Sequence, residues 1–255
     1  AYRKSLAVAK SLTTRTSANI EWQRVLSVSY KRIGDIILTQ GDVPGALSAY
    51  CKSLAIAESL AAHDPANTEW QRDLSVSHDK IGDGHLVQGD CASALTAYHK
   101  SLAIRDALAA HDPVNTQWQH DLSVSHHKIG DVLFAQGDGP SALAAYRNSL
   151  TIAKSLNARD PTNTSWQRDL SVSYKKIGNI LLTQGDTLGA LAAYHESLAI
   201  AESLAGCDPA NTQWQRDLAI GREKIGDIIL THGDVHGALA AYRKSLARAK
   251  SLATH

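Results

Sequence analysis

Tryptophan recurs at Trp22, Trp70, Trp118, Trp166 and Trp214, and every interval is 48 residues. Tyrosine keeps the same period at Tyr2, Tyr50, Tyr98, Tyr146, Tyr194 and Tyr242. A fixed period of this size marks a stacked array of repeats, in which each repeat hides its apolar stripe only against its neighbours. This constraint overrides the one or two globular domains that a length of 255 residues alone suggests. The expected organisation is a single array over residues 1–255. A second-half helix covers 1–18, and the repeats follow as 22–69, 70–117, 118–165, 166–213 and 214–255.

Each repeat reads as two helices. In the fourth, Trp166, Leu170, Tyr174, Ile177 and Leu181 fall at spacings of three and four. That is one apolar stripe on a helix of 3.6 residues per turn, running from about Trp166 to Gln184. Thr164 with Gln167 predicts a capping box at its start, repeated as Thr68/Gln71, Thr116/Gln119 and Thr212/Gln215. The first repeat has Ile20 in that place, which leaves Asn19 to cap alone. Gly185 suits the left-handed position that ends a helix, and Asp186 then caps the second helix. Ala190, Leu191, Tyr194, Ser197, Leu198, Ala201 and Leu204 form the second stripe, and Asp208-Pro209 ends it. Gly178, Ala190 and Ser197 are small enough to let two helix axes approach. No segment alternates as a strand does, so the predicted fold is all-α.

These residues resemble the tetratricopeptide repeat. That family's pattern is an aromatic residue, then Leu-Gly, then Tyr, followed by Ala-x3-Phe and a late proline. The counterparts here are Tyr174, Ile177-Gly178, Leu181 and Ala190-x3-Tyr194. They recur as Tyr30/Ile33/Gly34/Ile37/Ala46/Tyr50 and His126/Ile129/Gly130/Leu133/Ala142/Tyr146. The family's common unit is about 34 residues. The extra length divides into about seven residues in each helix, close to two turns, which keeps both stripes in phase. The repeat is also similar to long repeats of large bacterial multidomain proteins. The resemblance implies a right-handed superhelical solenoid of antiparallel helix pairs, whose first helices line a concave groove that holds a partner segment.

Carried onto this sequence, the groove positions are Lys31 and Asp35 in the first repeat, and Asp79 and Asp83 in the second. The third gives His127, Asp131 and Phe134, the fourth Lys175 and Asn179, and the fifth Glu223 and Asp227. Asp35, Asp83, Asp131 and Asp227 make a carboxylate ladder that Asn179 interrupts. The preceding row, Lys31, Asp79, His127, Lys175 and Glu223, changes sign along the chain. Such a face suits a protein or peptide of mixed charge. The alternative is that the ladder bonds locally, to backbone or to a neighbouring lysine. The family's clamp for C-terminal carboxylates is incomplete, since Asn179 is the one asparagine in the set.

Other functions find little support. The formal net charge is +1, with no block of like charges, which argues against a nucleic-acid partner. No apolar run has the roughly 18 residues that cross a bilayer. Cys51, Cys91 and Cys207 make neither a disulfide framework nor a zinc motif. Twelve histidines include no metal-ligand spacing, and His78 and His126 stand where other repeats have tyrosine. Ser53, Ser101, Ser149, Ser197 and Ser245 recur inside a helix stripe, which points to packing rather than to a nucleophile. No phosphate loop or dinucleotide fingerprint occurs, so neither catalysis nor a cofactor is expected. Gly84-His85 replaces the Ile36-Ile37 pair and marks the second repeat as a weak spot or a hinge. The sequence opens with AYRKSLAVAKSL and closes with the near copy AYRKSLARAKSL. It reads as a piece of a longer chain, or as a protein that polymerises head to tail through uncapped ends.

Overall fold

The computed structural model describes residues 20–253. They form ten α-helices: α1 (Ile20–Thr39), α2 (Val43–His63), α3 (Thr68–Val87), α4 (Cys91–His111), α5 (Thr116–Ala135), α6 (Gly139–Arg159), α7 (Thr164–Thr183), α8 (Thr187–Cys207), α9 (Thr212–Thr231) and α10 (Val235–Ala253). There is no strand among the described residues. The expected helix over 1–18 and the Asn19 cap expected for α1 lie outside them. Odd-numbered helices are the first helices of the repeats and even-numbered ones the second. The chain divides into two compact units at Val132/Leu133, inside α5.

Two turn designs generate the pattern. Between the helices of one repeat, Gly185 takes φ +80°, as do Gly41, Gly89, Gly137 and Gly233 at nearly the same value. Gly185 N–H donates to Leu182 O at 3.1 Å and Asp186 N–H to Leu181 O at 2.9 Å. This pair of bonds closes the last turn and satisfies carbonyls that the helix leaves open. The Asp186 carboxylate then accepts Gly189 N–H at 2.9 Å and starts the next helix. So short a turn sends the chain back antiparallel.

Between repeats the sequence Asp-Pro-x-Asn does the same work. Asp208 N–H donates to Leu204 O at 3.2 Å and its carboxylate accepts Ala210 N–H at 3.0 Å. Here the expected capping box fails. Asn163, not Thr164, is the N-cap, and its side chain accepts Trp166 N–H at 3.1 Å. Asn67 and Asn211 cap in the same way. The glutamines bond to the inter-repeat loop: Gln71 and Gln215 Nε2 donate to Pro65 O and Pro209 O, each at 3.3 Å, and Gln215 is fully buried. Asparagine caps because its side-chain oxygen reaches the third helical N–H, leaving threonine inside the first turn.

In the N-terminal unit α1 packs on α2, α2 on α3 and α3 on α4; in the C-terminal unit α6 through α10 pack in the same consecutive way. The cores are built from alanine and tyrosine. Tyr50, Tyr98 and Tyr194 are at most 1% exposed, beside Ala46, Ala94 and Ala190 at 0%. One C-terminal cluster joins Ala190 and Tyr194 to Ile225 and Ile228 of the following first helix. The fold is therefore a helical-repeat solenoid of antiparallel pairs, in which second helices before α10 pack against the next first helix.

The second repeat is not hollow at Gly84. A Cβ built there would stand 2.5 Å from Leu47 Cδ2, so α2 lies against the place where other repeats have isoleucine or valine. The recurrent serines are packing groups: Ser27 Oγ lies 2.9 Å from Ser53 Oγ, and Ser171 Oγ 3.0 Å from Ser197 Oγ, all four buried.

Candidate interaction surface

The residues expected to line the partner face lie on the first helices, and within each unit several of them join charge pairs between neighbouring repeats. In the N-terminal unit the Arg24 Nε donates to Asp73 Oδ2 at 2.7 Å, and Lys31 Nζ stands 3.6 Å from the other oxygen of the same carboxylate. Arg72 makes the equivalent pair with Asp121. In the C-terminal unit Arg168 pairs with Asp217 at 3.1 Å and Lys175 lies 3.9 Å from it. Burial pulls the Lys31 and Lys175 ammonium groups below their ordinary value, against the pull of Asp73 and Asp217.

In the carboxylate ladder Asp35 and Asp83 bond to neighbouring lysines, the alternative reading of its spacing, and members of the ladder also bond to the tyrosine of their own repeat, which the spacing did not reveal. Tyr50 OH donates to Asp35 at 2.9 Å, Tyr98 OH to Asp83 at 2.7 Å and Tyr242 OH to Asp227 at 2.7 Å. The lysine of the next repeat closes the other side: Lys80 Nζ lies 2.8 Å from Asp35 and Lys128 Nζ 2.6 Å from Asp83. Each of these two aspartates thus ties its own second helix to the following first helix. Asn179 keeps the tyrosine bond, from Tyr194 OH at 2.7 Å, and brings no charge. Lys224, which follows in the lysine series, lies 3.8 Å from Asp227 on its own helix.

The remaining expected positions differ in access. Lys31 and Asp79 are buried, at 7% and 5% exposure, and act from beneath the surface. His127 Nε2 is 3.7 Å from Asp131 Oδ2. Phe134 is half-buried and packs against the cluster of Ala142, Leu143 and Tyr146. Glu223 is exposed. Between the paired charges, Leu86 and Val87 on α3, Leu182 on α7 and Leu230 on α9 are exposed apolar side chains.

Sequence reasoning missed Arg105. It sits where other repeats have Ala57, Ala153 and Ala201, and a lone arginine in a buried alanine series was the available signal. Among the described residues no cluster of three or more His, Cys, Asp or Glu can hold a metal ion, and no helix is long and apolar enough to cross a membrane.

No protein-family model matches the sequence, and no curated protein matches it either. Solved structures do match in fold. BtubC (BKLC) from P. vanneervenii superposes with a TM-score of 0.77 at 15% identity, over 100% of this chain and 90% of that one. RapI in its apo form gives 0.59 at 13% identity, over 98% and 91%. Nearly identical TPR-like repeats of a Podosopora anserina kinesin light chain give 0.55 at 14% identity, over 88% and 94%. At these identities the likeness establishes a TPR-like fold and nothing finer.

Proposed function

We propose that this chain is a protein–protein interaction scaffold, a single array that binds a partner segment along the face of its first helices. The observation that carries this reading is the makeup of that face. Several of its charges, Asp35 and Asp83 among them, are already paired between repeats, while Leu86, Val87, Leu182 and Leu230 stay exposed on the same helices. A partner therefore gains most from apolar contacts, and the surrounding ion pairs set its orientation. A segment of mixed charge with apolar side chains at intervals fits such a surface. The TPR-like fold, shared with the solved structures above, supports the same reading.

The test is a peptide array probed with the intact chain and with Leu86→Asp/Val87→Asp and Leu182→Asp. Specific peptides that bind the wild type and lose at least roughly tenfold in affinity with these variants support the face. Peptides bound equally by all forms place recognition elsewhere.

A second reading is head-to-tail self-assembly. Leu239 and Leu246 on α10 are 43% and 54% exposed, while Leu143 and Leu191, counterparts of Leu239, are buried or packed in clusters. Light scattering separates the two: concentration-dependent growth favours stacking, and a monomer at all concentrations removes it.

A further inference from the structure

The first helices of the second and fourth repeats both contain the run Trp-Gln-Arg-Asp-Leu-Ser-Val-Ser, at 70–77 and 166–173. Two residues later they carry opposite charges, Asp79 and Lys175. The second helices α2 and α4 share Ser-Leu-Ala-Ile and then part, with Ala57 in one and Arg105 in the other. These two departures meet in space. Arg105 Nη2 lies 2.8 Å from Asp79 Oδ2, and the two residues are 4% and 5% exposed.

Arg105 does more than neutralise Asp79. Its Nε donates to Ser75 Oγ at 3.3 Å, and its Nη1 donates to Ser125 Oγ at 2.8 Å and to Asp121 O at 3.0 Å. One side chain on α4 thus holds both α3 and α5. The arrangement is not tuned for stability alone, because Asp79 Oδ1 is buried without a hydrogen-bond partner. Buried ion pairs often contribute little net stability, yet breaking one leaves a costly lone charge.

We propose that Asp79 and Arg105 form a register key that fixes the order of the repeats. Near-identical repeats can pair out of order at little cost, since any second helix finds a similar first helix. Arg105 restricts that freedom, since among the other first helices α9 alone offers a carboxylate, Glu223, at the place of Asp79. Paired with α1 or α7 in place of α3, it meets Lys31 or Lys175 in a buried junction instead of Asp79, two like charges out of water. Conversely, Asp79 beside α2 or α8 meets Ala57 or Ala201 and loses the guanidinium, keeping only the more distant lysine of the following first helix, which here is Lys128 at 3.9 Å. The correct neighbours are chosen by penalising the wrong ones. Arrays lacking such a key remain exposed to mispairing and domain swapping, the usual failures of repeat proteins.

The chain supplies its own test. Asp79→Lys/Arg105→Ala installs the residues that the first and fourth repeats use at these two places. Asp79→Asn/Arg105→Met removes the charges while keeping more of the volume. The exchange Asp79→Arg/Arg105→Asp keeps a pair. Each full-length variant is unfolded in urea, refolded by dilution and separated by size-exclusion chromatography. The expected result is that at least one of the two pairless variants folds, and that its swapped or misassembled fraction rises roughly threefold or more over wild type. The exchanged pair, where it folds, refolds with the wild-type fraction of monomer. A pairless variant that refolds as cleanly as wild type overturns the proposal. Failure of both pairless variants to fold at all also overturns it, since the pair is then needed for stability and not for order.

Discussion

Tyr98 lies so close over Gly82 that a Cβ added to the glycine would stand 2.5 Å from the tyrosine Cε1. At the matching place in the fourth repeat, the distance from Gly178 to Tyr194 is 3.1 Å. The first ring must move if a methyl group is added, and it is 1% exposed with its hydroxyl bound to Asp83. The second needs to give by only a few tenths of an ångström. Overpacking costs about 1–3 kcal/mol and alanine returns about 1 kcal/mol of helix propensity. Gly82→Ala is therefore expected to lose about 1–2 kcal/mol net, and Gly178→Ala to sit near zero. Urea denaturation followed by circular dichroism ranks them, and equal midpoints would contradict the geometry.

The tyrosine–aspartate bonds predict an alkaline limit to stability. Burial, reinforced by the Asp35 and Asp83 carboxylates, pushes the Tyr50 and Tyr98 hydroxyls far above their ordinary value of 10.0, and Tyr194 is pushed up to about 12. An acid with a raised folded value holds its proton longer folded than unfolded. Its contribution is thus complete below about pH 10 and is lost as the pH rises through the folded value. Melting temperature is expected to fall steadily above about pH 10. Tyr98→Phe weakens that fall while costing about 1–2 kcal/mol at neutral pH, because Asp83 keeps Lys128. A melting temperature flat in that range for the wild type would refute this assignment.

The period of Trp22 through Trp214 carried the helix pairs, the Gly-Asp turns and the covered stripes, because each follows from local spacing and turn chemistry. What spacing left open was which side chain meets which across a junction. Asp35 and Asp83 were legible as a row on one face, and their tyrosine partners were legible as core residues. That the two touch depends on the approach of the helices at Gly34 and Gly82, a tertiary quantity. The misplaced cap has a similar origin: Asn163 and Thr164 are both good capping residues, and adjacent candidates are separated only by backbone angles. Gly84-His85 was legible as a departure in the second repeat, but a sequence does not show that Leu47 lies against Gly84.

That distinction at the cap is itself testable. Asn67 Oδ1 accepts Trp70 N–H at 3.1 Å, and Thr68 already lies within the helix. Asn67→Ala is expected to lower stability by about 1 kcal/mol, and Thr68→Ala by a few tenths at most. Thermal denaturation of the two variants decides between the residues: a larger loss for Thr68→Ala would restore the capping box.

Two histidines give the array an acid limit. His78 is buried in α3, and its imidazole is held below the ordinary value of 6.5 first by burial and then by Lys100 of α4, with Glu58 of α2 and Asp79 of its own helix opposing. His126 in α5 is lowered by burial, with Asp106 of α4 opposing. The unfolded chain therefore takes up protons on these rings before the folded chain does. Stability is fully present above about pH 6.5 and declines as the pH falls below that value. The first and fourth repeats place Tyr30 and Tyr174 at the same position, so tyrosine is compatible with the junction. His78→Tyr/His126→Tyr is expected to match or exceed wild-type stability at neutral pH and to flatten the decline in melting temperature between about pH 7 and about pH 5. Carboxylates that lose their pairs at lower pH affect both proteins alike, so the difference between the two curves isolates the imidazoles. Parallel curves over that interval would assign the acid sensitivity to the carboxylates of the charge pairs instead.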